Sequence, residues 1–169
     1  MSVTVERPAT APPYEAIEDG REALRVWLRL LSCTNRIEAR IRSRLRDRFD
    51  TTLPRFDVLA QLDAAEREGQ VGLTMTALSR RLMVTNGNVT ALIERLAREG
   101  LVHRQARSGD RRVQLVRLTP AGRRSLEAMT PEHREWLAGM FAGLTRAERD
   151  RLHELVGKLK TSVESEETA

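Results

Sequence analysis

The segment from Leu73 to Gly122 constrains the fold of this chain more than any other part of the sequence. Its pattern predicts a short helix, a tight turn and a second helix, followed by a strand, a basic loop with a glycine at its tip, a return strand and a helix that begins at a proline. That order is typical of a winged helix-turn-helix, in which one helix enters the major groove of DNA beside a basic hairpin. The segment therefore predicts a mainly α-helical fold with a small β-hairpin wing.

Capping residues set the expected boundaries of the two central helices. Thr74 can cap a helix over about residues 75–83 through its side-chain oxygen, and Thr85 can cap the next helix over about residues 86–99. Gly100 follows, where a helix end favours a residue with positive φ. The second of these helices is expected to bury one stripe, formed by Val89, Leu92 and Leu96.

Longer helical stretches flank this segment. Apolar residues at three- and four-residue spacing predict a dimerisation helix over residues 19–50 and C-terminal dimerisation helices over residues 120–165, around a winged DNA-binding domain over residues 51–119. Residues 1–18, which hold prolines and small residues, are expected to form a mobile arm. Pro131 should bend the C-terminal stretch or make it restart, because proline cannot donate to the preceding helical turn.

The first and last helices both carry apolar stripes that a three-helix winged core is too small to cover. We therefore expect a homodimer, in which a second copy covers these stripes. Packing of the two helices on each other within one monomer is the alternative. The stripes are formed by Leu24, Trp27, Leu28 and Leu31 in the first helix and by Leu152, Leu155, Val156, Leu159 and Val163 in the last.

Positive charge is concentrated in the winged segment. Between Ser79 and Arg124 there are eleven arginines against three acidic residues, whereas the net charge of the whole chain is only +5. Clustered arginine indicates a polyanionic partner, either nucleic acid or a membrane surface. Because these residues lie in a patterned fold segment and not along one apolar-faced helix, the sequence favours double-stranded DNA and no membrane partner.

Other classes of function find little support. Cys33 is the only cysteine, which excludes an intrachain disulfide and fits a reducing compartment. The chain shows neither a signal peptide nor a stretch near the roughly 20 apolar residues of a membrane span, so we expect a cytoplasmic protein. No phosphate-binding loop or nucleophile motif is present, and the three histidines stand alone. We therefore expect no enzyme, no metal and no cofactor.

The winged segment resembles the MarR family of bacterial transcriptional regulators, and with the flanking helices the resemblance covers about residues 20–163. It implies a homodimer whose first and last two helices interleave and whose winged domains face successive major grooves of an operator. It also implies that a small ligand or an oxidant changes the affinity for DNA, with repression as the usual mode and activation left open. The matching residues are Leu78 to Leu82, Val89 to Leu96, Glu99 to Val102, Gly109 to Arg112 and Leu118 to Gly122.

Polar residues at the start of the second central helix are candidates for reading the major groove. They are Thr85, Asn86, Asn88 and Thr90. Asparagine can bond adenine through two hydrogen bonds, and threonine can contact a thymine methyl group or a phosphate. The alternative is that Asn86 to Asn88 form only a turn.

Basic residues of the wing are candidates for the minor groove and the DNA backbone. Arg111 and Arg112 suit a narrow minor groove, whose negative potential attracts arginine. Asp110 is expected to pair with a nearby arginine and stiffen the wing. A merely solvated basic loop is the alternative. Phosphate contacts are expected from Arg80, Arg95 and Arg107, with Arg81 and Arg104 as further candidates, although each could be an ordinary surface charge.

A row of arginines on the first helix is a candidate anion site. Arg36, Arg40 and Arg44 lie four residues apart, and Trp27 and Phe56, with Trp136 as a third aromatic, could line an apolar pocket nearby. The surrounding sequence is similar to family members that respond to aromatic acids or their coenzyme A thioesters. We therefore expect a small anionic aromatic ligand. A solvated helix face and ordinary core aromatics are the alternatives.

Two rival functions remain. Cys33 suggests peroxide sensing, although it falls about one turn later than the reactive cysteine of the family's peroxide-sensing branch, and Tyr14 is the only tyrosine where that branch uses two. The second rival is a winged-helix module that binds protein instead of DNA. The excess of arginine and the polar groove-facing residues argue against that module.

Overall fold

The computed structural model of the chain describes residues 13–82, 86–107 and 110–166. Its architecture is mainly helical with one small antiparallel sheet, as the sequence predicted. The described residues fall into two compact units, one ending at Arg40 and the other beginning at Ile41. In chain order the elements are α1 (Pro13–Phe49), α2 (Leu53–Arg67), β1 (Leu73–Thr74), α3 (Met75–Leu82), α4 (Asn86–Arg98), β2 (Val102–Arg107), β3 (Asp110–Leu118), α5 (Pro120–Met140) and α6 (Arg146–Glu166).

The first unit consists of the N-terminal part of α1. The helix begins at Pro13, six residues before the predicted start, so residues 13–18 are helical and not part of an arm. Proline suits the first helical turn because the missing N–H would have no partner there. The remainder of the expected mobile arm, residues 1–12, lies outside the described residues. Large apolar side chains of this unit are exposed, namely Leu24, Val26, Trp27, Leu28 and Leu31.

The core of the second unit forms where α2, α4 and the sheet meet. α2 buries Phe56, Val58, Leu59, Leu62 and Ala65. In α4 the fully buried residues are Val89, Ile93 and Leu96. The expectation for Leu92 was wrong in degree, because that side chain is only half-buried. Ile93 lies four residues after Val89 and three residues before Leu96, and this spacing places it nearer the centre of the buried face than Leu92.

The sheet has three strands in the order β1-β3-β2, all antiparallel. Leu73 pairs with Val116, and Val102 pairs with Leu118, so β3 is the central strand. The sequence predicted only the hairpin of β2 and β3 and not β1, and β3 begins at Asp110. Gly72 precedes β1 at a close approach, since a Cβ atom there would lie 2.8 Å from the carbonyl oxygen of Val116.

Three junctions of the winged domain are stabilised locally, and the first two follow the predicted chemistry. The Oγ1 of Thr74 accepts a hydrogen bond from the backbone N–H of Ala77 at 3.1 Å, which caps α3. Gly100 adopts a φ of 71° after α4. The Oγ1 of Thr119 accepts from the N–H of Gly122 at 3.0 Å and donates to the carbonyl of Gly100 at 2.6 Å. Thr119 therefore ties the start of α5 to the end of α4. The predicted cap at Thr85 lies outside the described residues.

α5 continues through Pro131 as a single helix, so the predicted restart does not occur. The hydroxyl of Thr130 donates to the carbonyl of Leu126 at 2.8 Å in the turn before the proline. Pro131 and Glu127 are both exposed. Water can therefore reach the carbonyl of Glu127, which the proline leaves without its helical N–H partner.

α6 begins with a capping box and exposes its apolar stripe. Glu148 accepts a hydrogen bond from the backbone N–H of Thr145 at 2.8 Å, and the hydroxyl of Thr145 accepts one from the N–H of Glu148 at 3.3 Å. The Glu148 carboxyl also accepts a hydrogen bond from the hydroxyl of Thr145 at 2.8 Å, and the bonds from the N–H and the hydroxyl of Thr145 lower its pKa. The exposed stripe consists of Leu152, Leu155, Val156, Leu159 and Val163.

Among the described residues, no helix combines the length and the apolar character needed to cross a membrane.

Candidate nucleic-acid interface

α4 separates a buried face from an exposed polar face. Val89, Ile93 and Leu96 point into the core, whereas Asn88 and Thr90 are exposed. Asn86 lies in the first turn of the helix, so the turn interpretation of residues 86–88 was wrong: the chain is helical there. Thr85 lies outside the described residues. α4 therefore presents polar side chains of the kind that can bond to base edges in the major groove.

Small residues lie in the middle of this exposed face. Gly87 and Ala91 are exposed and occupy successive turns of α4. A Cβ atom at Gly87 would meet no heavy atom within 4 Å. The absence of bulk at these two positions would allow the helix backbone to approach a groove floor or a phosphate closely.

The wing consists of β2 and β3. Arg107 and Asp110 are partners in the register, which shifts between Ala106 and Arg107. Arg111 and Arg112 follow in β3, at the end of the hairpin distant from the core. The side chains of these four charged residues lie outside the described part, and so does the predicted pairing of Asp110. What the structure places is the backbone of a basic hairpin that follows α4.

The arginines predicted to contact phosphate differ in their surroundings. Arg80 and Arg95 are exposed, and within the described residues neither forms an ion pair. Arg81 donates to the carboxylate of Glu68 at 2.6 Å, which raises the pKa of Arg81 and lowers that of Glu68. Arg104 lies 3.9 Å from Glu94 of α4. Arg80 and Arg95 are therefore the better candidates for phosphate contacts, whereas Arg81 is held in an ion pair with Glu68.

Ion pairs within the fold also neutralise part of the positive charge of the winged segment. Arg123 lies 3.0 Å from Asp63 and also pairs with Glu66, two acidic residues of α2 that the count over residues 79–124 left out. The pKa of Arg123 is raised, chiefly by its hydrogen bond to Glu66. Arg98 is exposed in the last turn of α4. Among the described side chains, Arg80 of α3 and Arg95 and Arg98 of α4 are exposed and form no ion pair.

The residues predicted to bind a ligand do not form one described site. In the first unit, Arg36 and Arg40 are exposed, and Trp27 is also exposed. In the second unit, the guanidinium of Arg44 lies 5.7 Å from the ring centre of Trp136, a cation–π contact. Phe56 is a buried core residue, although it also borders a surface cavity of about 320 Å³ between α2 and α5.

A smaller cavity contains an arginine that the sequence did not single out. It has a volume of about 160 Å³ and lies between the end of α1, the start of α2 and the middle of α5. Arg55 borders it, and the Nη1 of Arg55 donates to Glu99 at 2.9 Å. No pattern in the sequence could have indicated this pair, because its members lie on different elements 44 positions apart.

Comparisons with known proteins agree with this geometry. Residues 49–113 match a sequence model of the MarR family. An HTH-type transcriptional regulator of Bacillus cereus is 31% identical over 143 residues, which span 84% of this chain and 91% of the relative. The chain belongs to the MarR family. It is therefore a DNA-binding transcriptional regulator and not an enzyme.

Two solved structures share the fold of this chain. BldR from Sulfolobus solfataricus superposes with a TM-score of 0.73 at 23% identity, covering 83% of this chain and 96% of that one. BpsR from Bordetella bronchiseptica superposes with a TM-score of 0.68 at 29% identity, covering 80% of this chain and 98% of that one. The DNA binding of BpsR is regulated by 6-hydroxynicotinic acid.

Proposed function

We propose that this MarR-family regulator binds a palindromic operator as a homodimer, represses transcription there and is released by an anionic aromatic acid or its coenzyme A thioester. The exposed face of α4 is the observation that best supports DNA binding. That face combines Asn88 and Thr90 with the exposed Arg95, while the opposite face is buried in the core. A protein acting on chromosomal DNA in bacteria works in the cytoplasm.

Each candidate residue then has a role. Thr85, Asn86, Asn88 and Thr90 contact base edges in the major groove, where a good paired contact is worth about 1–3 kcal/mol of discrimination. Arg111 and Arg112 enter the minor groove, with Asp110 stiffening the wing. Arg80, Arg95 and Arg107 contact phosphates and supply most of the salt-dependent affinity.

The homodimer is supported by apolar side chains that one chain leaves uncovered. Both the first unit and α6 expose a row of large apolar residues at helical spacing. Contiguous exposed apolar surface of this kind marks an interface. A two-fold symmetric dimer would present two copies of α4 to two half-sites, which is why we propose a palindromic operator.

An anionic aromatic effector is supported by chemistry and by one relative. The 6-hydroxynicotinic acid that regulates BpsR carries a carboxylate on an aromatic ring. Arg36, Arg40 and Arg44 are our candidates for binding such a carboxylate, and Trp27 and Phe56 are our candidates for contacting an aromatic ring. The effector must bind the DNA-incompetent arrangement more tightly, because equal affinity for both arrangements would shift nothing.

Selection of DNA from a random library by the purified full-length protein tests this function. We expect enrichment of a palindrome, weaker binding by Arg111→Ala and Arg112→Ala, and reduced discrimination between sites by Asn88→Ala. Equal affinity for the selected site and a scrambled site at physiological salt would refute operator binding. A reporter with the selected site overlapping its promoter distinguishes repression from activation.

A second candidate signal is peroxide, because Cys33 is exposed on α1. Peroxide converts an accessible thiolate to a sulfenic acid, which can then form a disulfide. If mild peroxide releases the operator and Cys33→Ser abolishes that release, while aromatic acids and their thioesters release nothing, the redox response replaces the ligand response.

A further inference from the structure

A third cavity lies within the winged domain, and the proposed function does not use it. It has a volume of about 460 Å³ and opens between the segment before β1, the start of α3 and the middle of β3. We call it the β1 cavity. Clefts of roughly 300–1,000 Å³ are typical of small-ligand sites. Its apolar walls are Val71, Leu73, Ala77 and Leu115, and its polar positions are Gln70 and Thr74.

Val71 gives the β1 cavity an uncovered apolar wall. Its side chain is 62% exposed. The other large apolar side chains that are exposed in the described part of the chain belong to α1 and α6, whose stripes support the proposed dimer. Val71 belongs to neither helix, so those stripes do not account for it. Covering Val71 with an alkyl chain would be favourable, because apolar surface would leave water.

Arg117 places a positive charge beside the β1 cavity. Side chains alternate along a strand, so Arg117 lies on the same face of β3 as Leu115, which lines the cavity. Gly72 also lines the cavity, and a Cβ atom there would lie 2.8 Å from the Cγ of Arg117. The stem of the arginine therefore packs against a wall of the cavity.

Among the described residues, no carboxylate neutralises Arg117. Its Nη1 donates to the amide oxygen of Gln105 at 3.3 Å, and its Nε is buried without a hydrogen-bond partner there. Glu68, which lies close by in the chain, is already paired with Arg81 at 2.6 Å and accepts from Gln70 at 3.2 Å. A half-buried guanidinium without a counter-charge would be stabilised by an added carboxylate, through charge-assisted hydrogen bonds.

We infer that the β1 cavity binds an aliphatic carboxylate, with the alkyl chain against Val71 and Leu115 and the carboxylate on Arg117. The described lining contains no aromatic side chain, so stacking does not favour a ring, whereas branched aliphatic walls suit an alkyl chain. This site goes beyond the proposed function, because it requires neither DNA nor the proposed aromatic effector.

Titration of the free full-length protein with octanoate, below the concentration at which octanoate forms micelles, tests the site. In NMR spectra, the Nε–Hε signal of Arg117 and the methyl signals of Val71 and Leu115 should shift together and saturate. Acetate lacks the chain and octan-1-ol lacks the charge, so each should bind at least about tenfold more weakly than octanoate.

Two variants separate the role of the charge from that of the apolar wall. Arg117→Gln should weaken octanoate binding about tenfold and leave octan-1-ol binding nearly unchanged, because only the acid uses the guanidinium. Val71→Asp should weaken the binding of both, and of octanoate more, since the added carboxylate repels it. Arg98→Gln is the matched control, because Arg98 is an exposed arginine of α4 that does not line the cavity. The control should bind both compounds as the wild type does.

Three results would overturn the inference. They are an Arg117 signal that octanoate leaves unchanged, acetate that binds as tightly as octanoate, and Arg117→Gln binding octanoate as Arg98→Gln does. A second copy of this chain is the alternative occupant. Methyl signals of Val71 that shift with protein concentration in the absence of octanoate, but not in Leu115→Ala, would assign the cavity to that contact and also overturn the inference. Because the titration uses the free protein, its result does not depend on whether an operator or an aromatic effector is found.

Discussion

Gly122 lies in the first turn of α5, packed against the chain between α4 and β2. A Cβ atom at this position would lie 2.0 Å from the carbonyl oxygen of Leu101, which is backbone and cannot rotate away. We expect Gly122→Ala to destabilise the protein by about 1–3 kcal/mol or more, because the start of α5 must move. Gly139→Ala in the same helix is the control, since nothing lies within 4 Å of its Cβ. The control should be neutral or stabilising by up to about 1 kcal/mol. Urea unfolding measures both, and equal stability of the two variants would contradict the prediction.

His133 is a second residue whose surroundings have a measurable consequence. Its ring lies 4.5 Å from that of Phe56, and burial lowers the pKa of its imidazole. The folded protein therefore disfavours the protonated ring. This contribution to stability is fully present above the unfolded pKa of about 6.5 and is lost as pH falls from there towards the lower folded value. The melting temperature of His133→Asn should accordingly fall less than that of the wild type between pH 7.5 and pH 5. Parallel pH profiles would show that the imidazole has no such role.

At the scale of single elements, α3 offers a comparison between two adjacent arginines. Arg80 is exposed and without an ion pair among the described residues, whereas Arg81 is held by Glu68. A phosphate contact releases counterions, so each one adds about 0.9 to the slope of log affinity against log salt. We expect Arg80→Ala to reduce that slope by about one contact and Arg81→Ala to change it much less. Titrations of the selected DNA at several salt concentrations measure both slopes. A larger loss for Arg81→Ala would reverse the assignment.

The elements of the winged domain were predictable because their signals are local. Thr74 caps the helix that follows it, and Gly100 supplies the positive φ that ends α4. β1 was missed, since two residues carry no periodicity and its identity depends on pairing with β3. The continuation of α5 through Pro131 was missed for a related reason: propensity disfavours proline there, and tertiary packing decides the outcome.

The candidate site was predictable to a lesser degree. The polar start of α4 could be identified from the sequence, because the side chains that face away from the core follow from helical periodicity. Which arginines are free could not, since Arg81 and Arg123 are paired with acidic residues of other segments. The Arg55–Glu99 pair exists only in the folded chain.

At the scale of the whole molecule, the exposed stripe of α6 leads to a prediction about assembly. Leu155 and Leu159 lie one turn apart within that stripe, and both are exposed. Replacing both with Asp should convert the proposed dimer to monomer or weaken it at least tenfold, because two carboxylates would be buried against apolar side chains. The control places the same two charges on the opposite face, as Thr161→Asp with Ser165→Asp. Light scattering across a concentration series measures the mass. A leucine variant that remains as dimeric as the control would exclude α6 from the interface.

The geometry of a two-fold dimer also predicts how the operator must be spaced. A rigid dimer presents its two α4 helices at a fixed separation and on one face of the duplex, so its half-sites should lie about 10 bp apart, centre to centre. Inserting 5 bp between them adds half a helical turn and turns the second half-site to the far side of the DNA. Affinity should then fall to that of a single half-site. Inserting 10 bp returns the second half-site to the same side of the DNA but lengthens the separation by about 34 Å, which a rigid dimer cannot span, so affinity should stay low.

The α6 leucine variant, as a monomer, should bind all three sites alike. Band-shift titrations of the three DNAs with both proteins measure this. Equal affinity of the wild-type protein for all three would mean that each chain binds DNA on its own and that the dimer does not set the spacing.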